Sequence, residues 1–296
     1  MASAAEFAEF ARAHLPQPFA DRWISQLRPA VVFPWDPEAP EGPGLRHGGE
    51  PLLPDSLEWP MFDGRIPMSF IAELDCAALA AAGGLDLMPE SGHLLFFCAD
   101  HRYETEDANE DWSSRTTPWT AGRVLYIPDV VARRERRTPD GLEALETERR
   151  PARAASTPPS LDAAFAGRYF GPETPAMIER HMEAARCGRK PSESETYPLW
   201  ADDFERGIHE LRCFVQSGGH SCKIQRPLEL EAARCGLRRD GVIDPDEQGV
   251  LDEAGRWRVL LQDGVDDYGD MIGYWLLRED DLAAGRFDRA YFEMQR

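Results

Sequence analysis

The sequence predicts an α+β fold that is built mostly of antiparallel β-sheet, with short helices at its periphery. Short apolar runs bounded by turns rich in Gly and Pro dominate the chain, as strands do, whereas the helical patterns are brief. Hydrophobic residues make up 42% of the 296 residues and aromatic residues 10%, so the chain can form a substantial core. This length favours one compact domain, or two closely packed halves.

The chain opens with two helical patterns. Ser3 and Glu6 have the spacing of a capping box, which predicts a helix over residues 4–14. A second short helix is expected over residues 21–27, and the apolar residues 30–33 predict the first strand. The helices precede the sheet and are expected at its edge.

Most later apolar runs are too short for helices and have strand character. Strands are predicted over residues 68–74, 93–99, 123–127, 210–216, 257–262 and 271–278. A short Ala-rich helix is expected between the first two of these, ending at Gly83. A helical turn is expected at residues 280–282.

Two stretches show a common order of features, which suggests two similar halves at residues 30–130 and 205–296. Each has a Gly-Gly turn, a strand ending in polar residues and a Gly-led apolar strand: GGEP, FIAELD and GHLLFF, then GGHS, VLLQDG and GDMIGYWLL. Chance similarity is the alternative. Residues 131–204 predict a polar, helix-containing connector, of which 132–160 is expected to be an exposed loop or a mobile insertion. Residues 1–296 are nevertheless expected to form a single compact domain.

Charge and composition exclude several classes of function. The net charge of −20 repels polyphosphate, so nucleic-acid binding is not expected. No apolar run is long enough to span a membrane and the N-terminus lacks a secretion signal, so we expect a cytoplasmic protein without a membrane partner. The six cysteines contain no CxxC pair and are expected to be reduced.

Several motifs occur in an order that resembles the YwqG-like family, a bacterial family without an established activity. They are GGEPLLP, Trp59-Pro60, GRIPMSFIAELD, LMPESGHLLFF, GGHSCKIQ and WRVLLQDGVDDYGD, which together span most of residues 45–290. The chain departs from the family pattern at Glu73, where Gln is expected, and after His220, where Ser-Cys replaces a bulky aliphatic pair. The resemblance implies a mixed fold dominated by sheet, and it implies no catalytic residues.

His220 is the best candidate for a base, because a GGH turn brings backbone amides close to a ligand and imidazole titrates near neutral pH. The alternative is that His220 caps the turn or bonds a carbonyl group. A catalytic His220 would have to meet a carboxylate in a concave site, and a bond to a backbone carbonyl would contradict that role. No GxSxG motif occurs, so no catalytic residue is predicted.

No cofactor or metal is predicted. The possible zinc sets have fewer than the four ligands of a structural site: Cys213, His220 and Cys222, or Cys98 and His101. The acidic loop that holds Asp263, Asp266, Asp267 and Asp270 could attract a hard cation, but it lacks the order of acids of an EF-hand, and turn capping is the alternative. No phosphate-binding Gly-rich motif is present.

The sequence therefore predicts a non-catalytic protein-interaction module that uses its acidic surface and loop aromatics to bind a basic protein, for example as an immunity or antitoxin protein. The alternative is a small-molecule-binding protein or hydrolase with a pocket between the two halves. Its candidate ligand-binding residues are His47, Trp59, His220 and Asp267. A loop tryptophan such as Trp59 can equally pin its loop to the core.

Overall fold

Two antiparallel sheets packed face to face form the body of the protein. The computed structural model describes residues 3–15, 17–34, 44–83, 85–99, 118–159, 206–208, 211–265 and 271–295. The architecture is α+β with mostly antiparallel sheet and short helices, which confirms the predicted fold class.

The described helices are α1 (Ala4–His14), α2 (Gln17–Ile24), α3 (Cys76–Ala81), α4 (Leu228–Arg239), α5 (Glu247–Ala254) and α6 (Glu279–Ala283). A 3₁₀ turn covers Phe287–Arg289. None of these described helices is both long enough and apolar enough to cross a membrane.

The described strands are β1 (Arg28–Val32), β2 (Gly44–His47), β3 (Leu52–Leu53), β4 (Met61–Phe62), β5 (Ile66–Pro67), β6 (Ser69–Asp75), β7 (His93–Cys98), β8 (Gly122–Ile127), β9 (Arg134–Glu135), β10 (Glu148–Pro151), β11 (Arg153–Thr157), β12 (Gln216–Gly218), β13 (Trp257–Gly264), β14 (Ile272–Arg278) and β15 (Tyr291–Gln295). The strand predicted over residues 210–216 is thus displaced toward the C-terminus, where β12 forms.

The first helix forms as its capping signal predicts. The Ser3 hydroxyl accepts a hydrogen bond from the Glu6 N–H, and the Glu6 carboxylate accepts one from the Ser3 N–H at 2.7 Å. Phe7 and Ala11 of α1 are buried against Trp23 of α2 in a separate small core. The α1–α2 pair is therefore held by its own apolar contacts.

The two large sheets each place their strands in a simple antiparallel order. The five-stranded sheet runs β10-β2-β6-β7-β8, and the six-stranded sheet runs β11-β1-β12-β13-β14-β15. The pairs β3-β9 and β4-β5 form two short ribbons. Because β1 lies in the six-stranded sheet, the beginning of the first predicted half pairs with strands of the second.

The expectation of an exposed loop over residues 132–160 is wrong for residues 148–157, which form β10 and β11. β10 pairs with β2 and β11 pairs with β1, so this stretch supplies an edge strand to each sheet. An edge strand needs main-chain bonds to one neighbour and exposes many of its side chains. For that reason its sequence lacks the apolar pattern by which a buried strand is predicted. Residues 160–205 lie outside the described residues.

One hydrophobic core fills the space between the sheets. Phe96 meets Trp275 edge to face with 5.4 Å between ring centroids, and the Trp275 indole N–H donates to the Phe97 carbonyl at 3.3 Å. Leu94 and Leu261 are completely buried in the same core. The outer face of the six-stranded sheet is covered by α4 and α5, and that of the five-stranded sheet by the chain around β3 and β4.

The two sheets repeat one structural unit. β2, β6, β7 and β8 are successive neighbours in one sheet, as β12, β13, β14 and β15 are in the other. Each first strand leads into two glycines with positive φ, at residues 48–49 and 218–219. Each central hairpin has a register shift, at residues 70–72 and 259–261.

Hydrogen bonds at the two Gly-Gly turns repeat as well. The Arg46 guanidinium donates to the carbonyl groups two and four residues further along the chain, at 3.1 and 2.9 Å. The Gln216 amide donates to the carbonyl groups two and four residues further along, at 3.0 and 2.8 Å. The two turns therefore have the same pattern of side-chain to main-chain hydrogen bonds.

We expect Gly219→Ala to destabilise the protein more than Gly285→Ala. Both glycines have positive φ, which costs an L-residue about 1–2 kcal/mol. A Cβ at residue 285 would meet no described atom within 4 Å, but at residue 219 it would lie 2.0 Å from the Thr157 hydroxyl, which accepts the His220 N–H. Urea unfolding of the two variants measures the difference. Equal losses would contradict the tight packing assigned to this turn.

Candidate functional site

A charged pair joins the two sheets at one end of the sandwich. The His47 Nδ1 of β2 lies 2.9 Å from the Asp263 Oδ2 of β13. The Asp263 side chain is 1% exposed and the His47 side chain is largely buried. Asp263 is therefore a buried strand residue that links the sheets, and not a member of an exposed acidic loop.

Two charged residues of the edge strand β10 lie beside this pair. Glu148 is opposite His47 in the register, and Arg150 is opposite Leu45, so both side chains lie on the inner face of the five-stranded sheet. The Arg150 guanidinium donates to the Glu148 carboxylate at 2.7 Å. The other Glu148 oxygen and the Arg150 Nε are buried without a hydrogen-bond partner in the part of the chain that the structure describes.

The environment of this cluster decides which of its groups are charged. Burial opposes the charge of His47, but the hydrogen bond and the negative charge of Asp263 outweigh it and raise the pKa of His47. Burial also raises the pKa of the Cys213 thiol, which lies within electrostatic reach of Arg150 and Asp263. A protonated thiol is a poor nucleophile. The cluster is thus suited to holding the sheets together by charge, and no described hydroxyl or thiol group hydrogen-bonds His47.

His220 is placed differently from His47. It is buried in the turn after β12, where its Nε2 donates to the Gln26 carbonyl at 2.8 Å and its backbone N–H donates to the Thr157 hydroxyl at 2.7 Å. Burial, together with the positive charge of Arg28, holds the pKa of His220 well below its usual value. This is the carbonyl-bonded geometry expected of a structural histidine.

The structure places the three described candidate ligand-binding residues, His47, Trp59 and His220, apart from one another. Trp59 lies on the outer face of the five-stranded sheet, where its indole N–H donates to the Met68 carbonyl at 2.9 Å and its ring packs edge to face on Phe97. His47 lies on the inner face of the same sheet, and His220 lies in a turn of the other sheet. Asp267, with the neighbouring acids 266 and 270, lies outside the described residues.

The described cysteines and acids form no metal-binding cluster of three or more ligands. No disulfide joins the five described cysteines, which are Cys76, Cys98, Cys213, Cys222 and Cys235. Burial, with the nearby Asp75 and Asp129 charges, raises the pKa of Cys76 to about 12, so its thiol stays protonated. His101, the partner considered for Cys98, lies outside the described residues.

A cavity of about 700 Å³ opens where β1, β12 and β13 meet α3 and the chain after it. Its wall includes the glycine turn at residues 218–219, two arginines (Arg28 and Arg258) and the apolar side chains of Leu79 and Leu282. Its volume is in the range of small-molecule pockets. It lies between the six-stranded sheet and the α3 segment, and none of the described candidate residues lines it.

A different surface combines exposed apolar and acidic groups. Residues 240–255, here called the acidic segment, contain six acidic residues and no basic residue. Ile243 is 91% exposed in this segment, and the neighbouring Val242 is also exposed. Asp244 and Glu247 are exposed and form no ion pair within the described residues. This surface therefore combines exposed aliphatic side chains with carboxylates that are close to them in the sequence.

Residues 46–295 match the model of a protein family described as a domain of unknown function, DUF1963, and the matched range runs from β2 to β15, so it includes both repeats. The chain belongs to the DUF1963 family. No curated protein matches the chain.

Sequence reasoning missed Glu148 and Arg150 as members of the inter-sheet cluster. Their spacing of two residues in ERRPARAAS is the available signal, because it places both side chains on one face of a strand. This spacing does not show that the shared face is buried, because the face is covered only by the other sheet, which is distant in the sequence.

We expect His47→Gln to remove a pH-dependent part of the stability of the DUF1963 fold. The pKa of His47 is raised by folding, so its pairing with Asp263 stabilises fully below the unfolded pKa near 6.5 and is lost as pH rises through the folded pKa. The difference in unfolding free energy between wild type and His47→Gln should therefore be larger near pH 5.5 than near pH 8.5. Urea unfolding at both pH values measures it.

Asp263→Asn provides the control for this experiment. In the His47→Gln background it should add little further pH dependence between those two conditions, because the histidine that it would pair with is absent. A stability difference for His47→Gln that stays constant with pH would show that His47 is not charged in the folded protein.

Proposed function

We propose that this DUF1963 protein, YwqG-like in its motifs, is a non-catalytic, cytoplasmic protein-binding module whose partner is a basic protein. The observation that carries the proposal is the exposure of Ile243 within the acidic segment. Protein interfaces commonly combine an apolar centre with a polar rim, and the carboxylates of Asp244 and Glu247 would supply part of that rim. A partner that covers Ile243 would remove its apolar surface from water.

Charge selects the class of partner. The net charge of −20 attracts a cationic protein over a distance set by the ionic strength and accelerates its association. Asp244 and Glu247 have no ion pair within the described residues, so they are free to pair with Lys or Arg side chains of a partner. The same charge disfavours nucleic acid. An immunity-type or antitoxin-type role against a basic toxin is the concrete form of this proposal.

Two of the described histidines, His47 and His220, are used by the scaffold. His220 donates to a backbone carbonyl, and His47 is paired with a buried carboxylate that joins the sheets. Burial raises the pKa of the Cys213 thiol, which lies within electrostatic reach of the inter-sheet cluster. Among the described residues neither histidine has a hydroxyl or thiol side chain placed as a nucleophile, which supports a scaffold role for both.

A photo-crosslinking residue at position 243 tests the proposal. In an extract of the source cells it should give an adduct with a basic protein, identified by mass spectrometry. The yield should fall as NaCl rises from about 0.1 M to about 1 M, since the screening length drops from about 10 Å to about 3 Å. Ile243→Ser should weaken binding of the purified partner about tenfold, as loss of one interface anchor does.

Val130 provides a matched control. It is 93% exposed and aliphatic like Ile243, but it lies in the turn after β8, outside the acidic segment. A crosslinker at position 130 should give no such adduct, and Val130→Ser should leave binding unchanged. The same adduct at both positions, an acidic captured protein, or no adduct at position 243 would refute the proposed binding surface.

The second candidate function is small-molecule binding in the cavity of about 700 Å³. Its support is the mixture of apolar walls with the guanidinium groups of Arg28 and Arg258. A hydrolytic version has no such support, because His220 bonds a carbonyl group and does not line the cavity.

Ala80→Trp tests the cavity. Ala80 is an exposed α3 residue of the cavity wall, so the indole ring would occupy the space without disturbing the core. A metabolite that raises the melting temperature of the wild type should lose this effect in Ala80→Trp and keep it in Ala283→Trp, an exposed helical alanine outside the wall. A screen in which no metabolite shifts the wild type, or one whose hits shift both variants alike, would remove this candidate.

A further inference from the structure

The two repeats carry chemically different side chains at one equivalent row of positions. In the five-stranded sheet the row across β10, β2 and β6 is Arg149, Arg46 and Glu73. In the six-stranded sheet the equivalent row across β1, β12 and β13 is Val32, Gln216 and Gln262. Because the neutral row supports the same strand pairing, the charged row is not a requirement of the fold.

The neutral row is sealed inside the protein. Gln216 and Gln262 are completely buried, and Val32 is almost so. The Gln262 amide accepts from the Cys222 N–H and donates to the Phe214 carbonyl, both at 2.8 Å. In this repeat the side chains of the row therefore bind the main chain of the segment that covers them.

The charged row instead borders a cavity of about 210 Å³ on the outer face of the five-stranded sheet. Arg46, Arg149 and Glu73 line it together with Arg133 and His93. The volume has room for several water molecules, and so for a small anionic group. We call this cavity the arginine pocket.

Positive charge is in excess in the arginine pocket. The Glu73 carboxylate accepts from Arg46 at 2.7 Å and from Arg133 at 2.8 Å, so one acid serves two guanidinium groups. The other acid of the lining, Asp75, caps the N-terminus of α3 through the Ala78 N–H. Three arginines therefore face two carboxylates, one of which is already used by the helix.

Arg149 is the cation whose charge is not matched. It lies directly opposite Arg46 in the register, and like charges at such positions repel each other. Within the described residues Arg149 forms no ion pair and no hydrogen bond, whereas Arg46 is fixed by two carbonyl groups, by Glu73 and by its position over the Phe70 ring. A fixed guanidinium beside an unmatched one is a suitable arrangement for an anion.

We propose that the arginine pocket binds a small oxyanion, a carboxylate or phosphate group, at Arg149, beside the fixed guanidinium of Arg46. The planar N–H groups of Arg match the two oxygens of such an anion, and a partly enclosed pocket strengthens the charged hydrogen bonds. Glu73 confines the anion to this side of the pocket by repulsion. The arginine pocket lies on a different surface from the acidic segment, so this proposal and the proposed function fail independently.

Calorimetric titration of the purified protein tests the proposal. The probes are inorganic phosphate and acetate at pH 7.5, each at constant ionic strength, with chloride as the reference anion. One or both oxyanions should bind saturably with one site per chain. Arg149→Gln should weaken binding about tenfold or more, the loss typical of a charged hydrogen-bonded pair. Arg137→Gln, at an exposed arginine outside the pocket, should bind as the wild type does.

A triple variant separates binding from folding. Arg46→Gln, Glu73→Gln and Arg149→Val together reproduce the neutral row of the other repeat, and this variant should fold and bind neither probe. If the triple variant does not fold, the comparison of Arg149→Gln with Arg137→Gln still decides the question. Absence of saturable binding to the wild type, binding of chloride with equal affinity, or equal affinity in the two single variants would overturn the proposal.

Discussion

Packing between the two sheets is the constraint on which the other features of this DUF1963 protein depend. The contact of Phe96 on β7 with Trp275 on β14 joins interior strands of the two sheets, and the surrounding aliphatic side chains exclude water. This packing sets the distance between the sheets. It thereby determines that His47 and Asp263 can meet and that the chain after α3 closes a cavity against β13.

The partners of the buried polar groups depend on whether a group lies between the sheets or on an outer face. Inside the sandwich His47 pairs with Asp263 across the sheets and Arg150 pairs with Glu148 along one strand, because an unpaired charge there would lose its hydration without compensation. Those on the outer faces pair with the chain that covers the sheet, as Glu73 does with Arg133. The five-stranded sheet thus has an inner face that packs on the other sheet and an outer face whose charged groups contact the covering chain.

The internal repeat shows how one scaffold can serve two purposes. Equivalent strands, glycine turns and register shifts occur in both sheets, so the backbones of the two sheets have similar conformations at these positions. The outer coverings differ: α4 and α5 seal one sheet, while short ribbons and loops cover the other. The neutral row is buried beneath residues 214–222, whereas the charged row borders a cavity. This difference between equivalent positions is the basis of the proposed oxyanion site.

The sequence by itself determined the class of fold, the capping of α1, the apolar strands at the centre of each sheet and the common order of features in the two halves. These depend on short-range patterns, namely runs of apolar residues, helix caps and glycine turns, each of which involves residues close together in the sequence. Only the tertiary structure decided that 148–157 forms edge strands and that His220 bonds a carbonyl while His47 meets Asp263. It also placed Arg149 opposite Arg46. Such pairings join residues far apart in the chain, and they depend on register and on which face is covered, neither of which leaves a local pattern.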